Sequence, residues 1–190
     1  NWSMICPAAL NGRFNGCGNI CLPPDMSLVL VRVDDRLIHG QVVGGWLPVV
    51  QAERIVVVSD LAAADPLQTG MMRLAVPEGV SVDVLSVDAA AVQLKNGAWA
   101  EERVMLLVPG VHELNWLVDL GVPISQVNLG GVHDAPGREM VAPHLAFTAD
   151  EKNILNRLYS KGIRFETRPL PSDVPVPLRE LIPGLGRSSH

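Results

Sequence analysis

Short runs of β-branched and aliphatic residues alternate along the chain with longer stretches whose apolar residues recur at helical spacing. Such runs predict strands when turn-forming residues bound them. They lie at about residues 28–33, 53–58, 80–86, 102–108, 125–129, 139–146 and 163–169. The stretches between them predict helices at about residues 40–50, 65–75, 87–95, 111–120, 149–161 and 176–182.

This alternation predicts an α/β fold with an open, mainly parallel sheet and helices on both faces. The runs at about 55–58 and 104–108 are apolar on both faces, as buried parallel strands are. After Asn128 the rhythm changes, because the loop Gly130–Gly137 is too short for a crossover helix. We therefore expect residues 139–146, near the C-terminal part of the sheet, to form an antiparallel strand.

The ends of the chain differ in character from its body. Residues 1–25 show neither a strand nor a helix period, and we expect a disordered extension there. The regular pattern runs over residues 26–182, which predicts one domain, and residues 183–190 read as a tail.

Composition and charge exclude several classes of function. The 190 residues carry a net charge of −5, which argues against binding nucleic acid through a basic surface. The apolar runs are far shorter than the roughly 18 to 20 residues of a membrane-spanning helix, and the Cys-free body fits a reducing cytoplasm. Cys6, Cys17 and Cys21 lack the paired short spacings of a structural zinc site. We expect no metal and no cofactor.

The loop after the first predicted strand carries the densest chemistry. Asp34, Asp35, Arg36 and His39 follow one another within six residues, and a helical stretch comes next. In open α/β sheets, ligands bind beyond the carboxyl ends of the strands. A site in this fold would therefore centre on His39.

The residue types at this loop suit a phosphoryl group. Neutral imidazole keeps a nucleophilic lone pair, and a carboxylate from Asp34 or Asp35 can accept the other ring N–H and fix the tautomer. Arg36 offers a planar fork for a phosphoryl group. The amides at the start of the next helix, from Gly40 to Val42, add a positive dipole end. His39 is therefore a candidate to take up a phosphoryl group and pass it on.

Other predicted strand ends supply further candidates. Asp60 follows the second strand, and Asn128, Gly130 and Gly131 follow the fifth, with His133 just beyond them. The sequence has no Gly-x-x-x-x-Gly-Lys-Ser/Thr loop, no Gly-x-Gly-x-x-Gly after the first strand and no Gly-x-Ser-x-Gly turn. The main motifs of nucleotide kinases, dinucleotide-binding enzymes and α/β-hydrolases are therefore missing, which argues against these three classes.

The run Val31–Val42 (VRVDDRLIHGQV) resembles the signature of the IIB components of the mannose/fructose/sorbose family of the bacterial phosphoenolpyruvate:sugar phosphotransferase system. The resemblance continues to about residue 182. It covers the segments Arg54–Asp60, Pro77–Val80, Asn128–His133 and Pro171–Asp173. The N-terminal extension is outside the pattern. Gly44, Gly45 and Pro48 predict that the helix after His39 is short or kinked.

This resemblance implies a cytoplasmic transferase, peripheral to a membrane transporter, with protein-Nπ-phosphohistidine–sugar phosphotransferase activity. Its histidine takes a phosphoryl group from a IIA protein or domain and passes it to a sugar that the IIC and IID membrane subunits translocate. Carried over by motif, His39 is the phosphohistidine and Arg36 the phosphate clamp, while Asp34 and Asp35 orient the loop. The second set of implied residues binds the phosphate or lines the opposite wall: Gly40, Gln41, Asn128, Gly130 and Gly131. Asp60 and His133 are further candidates, and the resemblance permits a homodimer.

Plainer interpretations stay open beside these. His39 can be an ordinary solvated or capping histidine, and Arg32 can simply pair with Asp34. Trp46 fits a docking face and core packing equally well, and His112 and His144 resemble surface residues. The whole protein can also be a regulatory or ligand-binding α/β module that accepts no phosphate. A nucleotide-binding domain is a weaker alternative.

Overall fold

The computed structural model describes residues 28–186. The expectations for residues 1–25 and for the last four residues lie outside the described residues. The part of the predicted tail that is described, residues 183–186, packs against the body of the protein. There the N–H of Gly186 donates to Asn156 Oδ1 at 2.6 Å.

The nine strands among residues 28–186 are β1 Leu28–Asp34, β2 Arg54–Val58, β3 Ser81–Leu85, β4 Val104–Val108, β5 Gln126–Gly131, β6 Glu139–Ala142, β7 Leu145–Phe147, β8 Arg164–Thr167 and β9 Val176–Pro177. Seven of them form one sheet in the order β3-β2-β4-β1-β5-β8-β9. All neighbouring pairs in this sheet are parallel except β8 and β9. The other two, β6 and β7, form a separate antiparallel pair.

The helices cover both faces of this sheet. The α-helices within the described residues are α1 Leu47–Val50, α2 Asp60–Ala63, α3 Pro66–Leu74, α4 Val87–Lys95, α5 Val111–Asp119, α6 Ala149–Ser160 and α7 Leu178–Leu181. A π-helix, Gln41–Trp46, continues directly into α1. The π-helix, α1, α2 and α3 pack on one face, and α4 to α7 pack on the other.

The core follows from strand periodicity. Alternate residues of a strand point to opposite faces, so each central strand feeds two apolar clusters. In β4, Leu106 packs with the α4 and α5 side, whereas Met105 and Leu107 pack with the π-helix side. All three are 0% exposed. A strand this apolar can occupy only the middle of a sheet covered on both faces.

Side-chain caps begin several helices where the sequence indicates a start. Asp65 accepts from the N–H groups of Leu67 and Gln68, and Pro66 occupies the first position of α3. Thr148 and Glu151 form a reciprocal capping box at α6. Each such cap satisfies amide donors that the first turn of a helix leaves unpaired.

The predicted fold class, an open and mainly parallel α/β sheet with helices on both faces, is confirmed. Three local predictions differ in detail. The run at 139–146 is antiparallel but turns at Pro143 and His144, so it makes the β6–β7 hairpin rather than one strand. The antiparallel strand of the main sheet is β9, formed by residues 176 and 177, where we predicted the start of a helix. The short α2 was not predicted.

The helix predicted for residues 40–50 is short and irregular, in line with its Gly and Pro content. Its first part is π-helical, and Pro48 lies in the first turn of α1. The chain then reverses at Gln51, which has a φ of 49°. No helix among residues 28–186 is long and apolar enough to span a membrane.

Truncating the middle of β4 tests the assignment of the core. We expect Leu106→Ala to lower the free energy of unfolding by about 2–5 kcal/mol, because a fully buried leucine leaves a cavity when shortened. Leu74 is the matched control because it is 88% exposed. We expect Leu74→Ala to change the free energy of unfolding by less than about 0.5 kcal/mol. Urea denaturation of the two variants measures the difference, and equal losses would contradict the assignment.

Candidate functional site

The loop that carries His39 leaves the sheet at a crevice. β1 lies between β4 and β5 and is parallel to both. The helices that follow β1 pack on one face of the sheet, whereas α5, which follows β4, packs on the other. Neighbouring strands whose connections leave in opposite directions open a crevice at their carboxyl ends. Residues 35–40 therefore stand where a sheet of this kind presents its ligand site.

A buried ion pair forms the floor beneath this loop. The side chains of Arg32 and Asp34 are both 0% exposed. Asp34 Oδ2 accepts from Arg32 Nη2 at 2.7 Å and from Nε at 3.2 Å. Residues two apart on a strand point to the same face, which brings the two side chains together. The ion pair between Arg32 and Asp34, one of the interpretations left open by the sequence, is thus present.

The remaining donors of Arg32 are also bound. Nη1 donates to Asn128 Oδ1 at 2.5 Å and to the carbonyl oxygen of Arg168 at 3.3 Å, and Nη2 donates to that of Pro169 at 3.2 Å. The guanidinium carbon also lies 5.5 Å from the centroid of the Trp46 ring. Burial lowers the pKa of Arg32, the Asp34 carboxylate acts in the opposite direction, and an arginine stays charged in such surroundings.

Gly130 makes room for this guanidinium. A Cβ atom at Gly130 would overlap Cζ, Nη2 and Nε of Arg32, well inside van der Waals contact. The register between β1 and β5 also shifts here, between Val33 and Asp34. Residue 130 must therefore lack a side chain because the Arg32 guanidinium fills the space, a constraint that the sequence alone does not show.

Asp34 links the floor to the exposed part of the loop. Its Oδ1 accepts from the backbone N–H of Arg36 at 3.2 Å and from Arg36 Nε at 3.3 Å. Arg36 Nη2 donates to Gln41 Oε1 at 2.7 Å. The Arg36 side chain is 40% exposed, so its outer edge is open to solvent. One carboxylate therefore orients a buried and an exposed guanidinium at once.

The His39 ring lies among hydrogen-bond acceptors. Nδ1 is 3.0 Å from the carbonyl oxygen of Leu37. Nε2 is 3.4 Å from Gln41 Oε1 and 3.7 Å from Asp34 Oδ2. A neutral imidazole carries one proton, so it satisfies the acceptors on one side and leaves a lone pair on the other nitrogen. The ring is 17% exposed, which leaves one edge accessible from outside.

The backbone turn before His39 is held by a buried side chain. Leu37 has a φ of 55°, in the left-handed region that costs a non-glycine residue about 1–2 kcal/mol. Its side chain is 5% exposed and packs among the residues around the π-helix, and its N–H donates to the Asp34 carbonyl at 3.0 Å. This conformation directs the Leu37 carbonyl toward Nδ1 of His39.

Asp35 ties the loop to the end of β5. Its carboxylate accepts from the N–H of His133 at 2.8 Å and lies 2.7 Å from His133 Nδ1. The N–H of Asp35 donates to the Gly131 carbonyl at 3.0 Å, and Arg138 Nη1 donates to the carbonyl of His133 at 2.8 Å. His133 is thus joined to the site through Asp35.

Other predicted residues have different surroundings. Asp60 Oδ1 accepts from the N–H of Val87 at 2.9 Å, which places it at the start of α4. Gly131 lies beside the loop, where an added Cβ would be 3.3 Å from Asp34 Oδ1 and 3.5 Å from Arg36 Nη2. The amide of Val42, expected to be free for an anion, donates instead to the His39 carbonyl at 2.9 Å.

Two residues near the site have surroundings that the sequence motif does not predict. Arg32 is more than a simple partner of Asp34, and a charged residue inside the apolar run Val31–Val33 is itself a signal of a buried network. His144 lies in the β6–β7 turn with Nε2 2.6 Å from Thr167 Oγ1. Burial, and then the positive charge of Arg32, lower the pKa of His144. No sequence motif predicts that this turn contacts β8.

The His39 ring is reached from the protein surface, since its side chain is 17% exposed. A groove of about 630 Å³ runs beside β1 and β5, lined among others by Trp46, Asn128 and Arg168, but His39 is not among its lining residues. Trp46 is 3% exposed, which favours core packing over docking for this side chain. An accessible imidazole next to an exposed guanidinium suits an anionic electrophile, such as a phosphoryl group that another macromolecule delivers.

Comparison with known proteins finds relatives that match most of this chain. A family model described as PTS system sorbose subfamily IIB component matches residues 28–188. The fructose-specific EIIB component of the PTS system from Bacillus subtilis (strain 168) is 34% identical over 148 residues, which are 78% of this chain and 91% of that protein. The mannose-specific EIIAB component from Escherichia coli (strain K12) is 37% identical over 159 residues, 83% of this chain. The match spans 49% of that longer protein, about half its length.

A solved structure shows the same fold. The IIBSor domain of the sorbose permease from Klebsiella pneumoniae aligns with a TM-score of 0.79 and 29% sequence identity. The alignment covers 85% of this chain and 99% of that domain. The family resemblance carried by the loop motif is therefore confirmed.

Gly130 provides a steric test of the buried floor. We expect Gly130→Ala to lower the free energy of unfolding by about 3–5 kcal/mol, because the new methyl group must displace Arg32 from Asp34. Gly70, in α3, is the control, since a Cβ atom there would meet nothing within 4 Å and alanine favours helix by about 0.5–1 kcal/mol. Chemical denaturation measures both, and an unchanged Gly130→Ala would contradict the described packing.

Proposed function

This chain belongs to the sorbose-subfamily IIB components of the PTS system, and we propose that His39 relays a phosphoryl group from a IIA protein or domain to a sugar. The IIC and IID membrane subunits would present that sugar, with this chain at the cytoplasmic side of the transporter. The observation that supports the proposal is the partly exposed His39 ring, which lies near the buried carboxylate of Asp34 and shares its neighbour Gln41 with the half-exposed guanidinium of Arg36.

The first step transfers the group between two imidazoles. The N–P bond of the phosphorylated IIA histidine breaks, and that ring leaves as neutral imidazole with the electron pair of the bond. A lone pair of His39 forms the new N–P bond. No proton needs to be gained or lost, because each ring keeps the proton on its other nitrogen.

We assign the attack to Nδ1, the Nπ nitrogen. Nε2 faces Gln41 Oε1 and the Asp34 carboxylate at 3.4 and 3.7 Å. A carboxylate stabilises the N–H and the positive charge of a phosphorylated ring better than a backbone carbonyl does. Nδ1 lies 3.0 Å from the Leu37 carbonyl oxygen, so before the attack the ring must turn Nδ1 away from that carbonyl and carry its one proton on Nε2, which faces Asp34.

The second step returns the ring to its starting state. The His39 N–P bond breaks, an O–P bond to the sugar forms, and the departing Nδ1 takes up the hydroxyl proton, which later passes to solvent. Arg36 is the group best placed to follow the phosphoryl oxygens, because Asp34 and Gln41 hold its Nε and one Nη while its outer edge stays open. A guanidinium fork matches phosphoryl oxygens in geometry as well as charge.

The surrounding loops give this site its shape. Asp35 and Gly131 fasten the His39 loop to the end of β5, and Gly40 leaves the start of the π-helix open, with nothing within 4 Å of its Cβ position. A shallow surface of this kind can face IIA and the membrane subunits in turn. Sugar recognition would then belong to the membrane subunits.

Labelling tests the acceptor residue. We expect the protein to take up acid-labile phosphate from phosphoenolpyruvate in the presence of the upstream phosphocarriers, and we expect His39→Ala to take up none. His112→Ala is the matched control and should label fully, since His112 is a half-exposed histidine of α5, outside the His39 loop. Radiolabel or intact-mass measurement reports the stoichiometry. Label on His39→Ala would contradict the assignment, and an unlabelled wild-type protein would favour a regulatory module of the same fold.

Arg36→Ala separates catalysis from stability. We expect it to slow transfer from phospho-IIA by about 10²- to 10³-fold, the effect of removing a donor that stabilises developing charge. The free energy of unfolding should change by less than about 1 kcal/mol, because the side chain is 40% exposed. Rapid-quench labelling measures the rate, and Arg164→Ala, at the opposite edge of the sheet, is the control. A large loss of stability would instead give Arg36 a structural role.

A further inference from the structure

We propose that Arg32, which the family motif does not single out for a role, is a positioning residue that acts on His39 through Asp34. The inference rests on the proposed function and deepens it. Arg32 does not face the phosphoryl group, since its side chain is 0% exposed and all its hydrogen-bond partners lie within the protein.

The geometry forms a chain of three groups. Arg32 grips one oxygen of Asp34 through two nitrogens, Nε and Nη2. That same oxygen, Oδ2, is the one that lies 3.7 Å from Nε2 of His39. The plane of the carboxylate, and so the direction from which it meets the imidazole, is therefore set by the guanidinium behind it.

The other carboxylate oxygen carries the same constraint to the phosphate clamp. With Oδ2 fixed by Arg32, Oδ1 points at the N–H and the Nε of Arg36. Rotation of the Asp34 carboxylate would move both contacts together. A single buried guanidinium thus sets the orientation of the nucleophile and of its clamp.

Arg32 has many fixed contacts, although a buried ion pair adds little to the stability of the fold. A buried ion pair is often no more stable than apolar residues of similar volume, because both charges lose their hydration. Here the chain nevertheless provides an amide from Asn128, two carbonyls at 168–169, the face of Trp46 and a glycine at 130. These contacts together fix Arg32 in one position, which a positioning role requires.

The charge of Arg32 contributes as well as its shape. When a phosphoryl group bonds to Nδ1, positive charge develops on the His39 ring, and the carboxylate of Asp34 stabilises it. The guanidinium behind Asp34 holds that carboxylate in its orientation during transfer. Without it, the ring loses the partner that selects the Nε2–H tautomer, and Nδ1 loses its free lone pair for part of the time.

The test compares Arg32→Met and Arg32→Lys with wild type. We measure transfer from phospho-IIA by rapid quench, per folded His39, over a range of phospho-IIA concentrations. Both variants should lose about tenfold to a hundredfold in kcat, the cost of misplacing a reacting group from a distance, with KM changed less than twofold. Lysine keeps the charge but not the two-nitrogen grip, so Arg32→Lys should regain only part of the rate.

A second readout separates positioning from a structural role. The ¹⁵N chemical shifts of the His39 ring should show one dominant tautomer in wild type and a mixture in Arg32→Met. Arg54→Met is the control, because Arg54 is also an ion-paired arginine of the sheet, bound to Asp83 and Glu102, but it lies at the start of β2, away from His39. It should lower stability and leave kcat and the His39 spectrum unchanged.

The outcomes are distinct. If Arg32→Met fails to fold, Arg32→Lys is compared with wild type instead, since a lysine still provides a positive charge beside the buried Asp34 carboxylate. A folded Arg32 variant with kcat within twofold of wild type and an unchanged His39 tautomer overturns the inference. Wild-type protein that takes no phosphate on His39 overturns the proposed function itself, and that result is read from the wild-type and His39→Ala samples alone.

Discussion

A guanidinium held entirely inside the protein, at the end of the central strand, is the constraint on which the rest of the site depends. A charged group removed from water is tolerated only when nearly every donor finds a partner. Arg32 meets that demand with Asp34, Asn128 and the carbonyls at 168–169. Because these partners are spread over β1, β5 and the segment after β8, satisfying one side chain fixes how the three meet.

The sheet topology makes this arrangement available. β1 has parallel neighbours on both sides, so the last residues of three strands converge at one edge. Strand periodicity sends Val31 and Val33 into one apolar cluster and Arg32 and Asp34 to the opposite face. On that face Trp46, from the end of the π-helix, covers the guanidinium. The irregular helix after His39 therefore helps to bury the ion pair, since it places the Trp46 ring against the Arg32 guanidinium.

The sequence predicted what depends on local pattern and missed what depends on contact across the chain. Periodicity located the parallel strands, capping residues located the starts of α3 and α6, and the loop motif identified the family. The turn at Pro143 and the short strand β9 escaped because a few residues of weak pattern pair only in a tertiary context. The role of Gly130 escaped for a related reason. Its lack of a side chain matters only once Arg32, far earlier in the chain, occupies the space.

Arg32 and Arg36 contribute differently to the electrostatics of the site, because Arg32 is buried and Arg36 is partly exposed. A relay must bind its phosphoryl group loosely enough to release it, because equal stabilisation of the bound state and the transition state does nothing for the rate. Arg36, half exposed and screened by solvent, offers a weak and adjustable contact. Arg32, with no exposure, lies in surroundings of low polarisability, where its field on Asp34 is strong. In the relay that we propose, the buried charge behind the carboxylate would keep His39 oriented, and the solvent-screened charge of Arg36 would hold the phosphoryl group without trapping it.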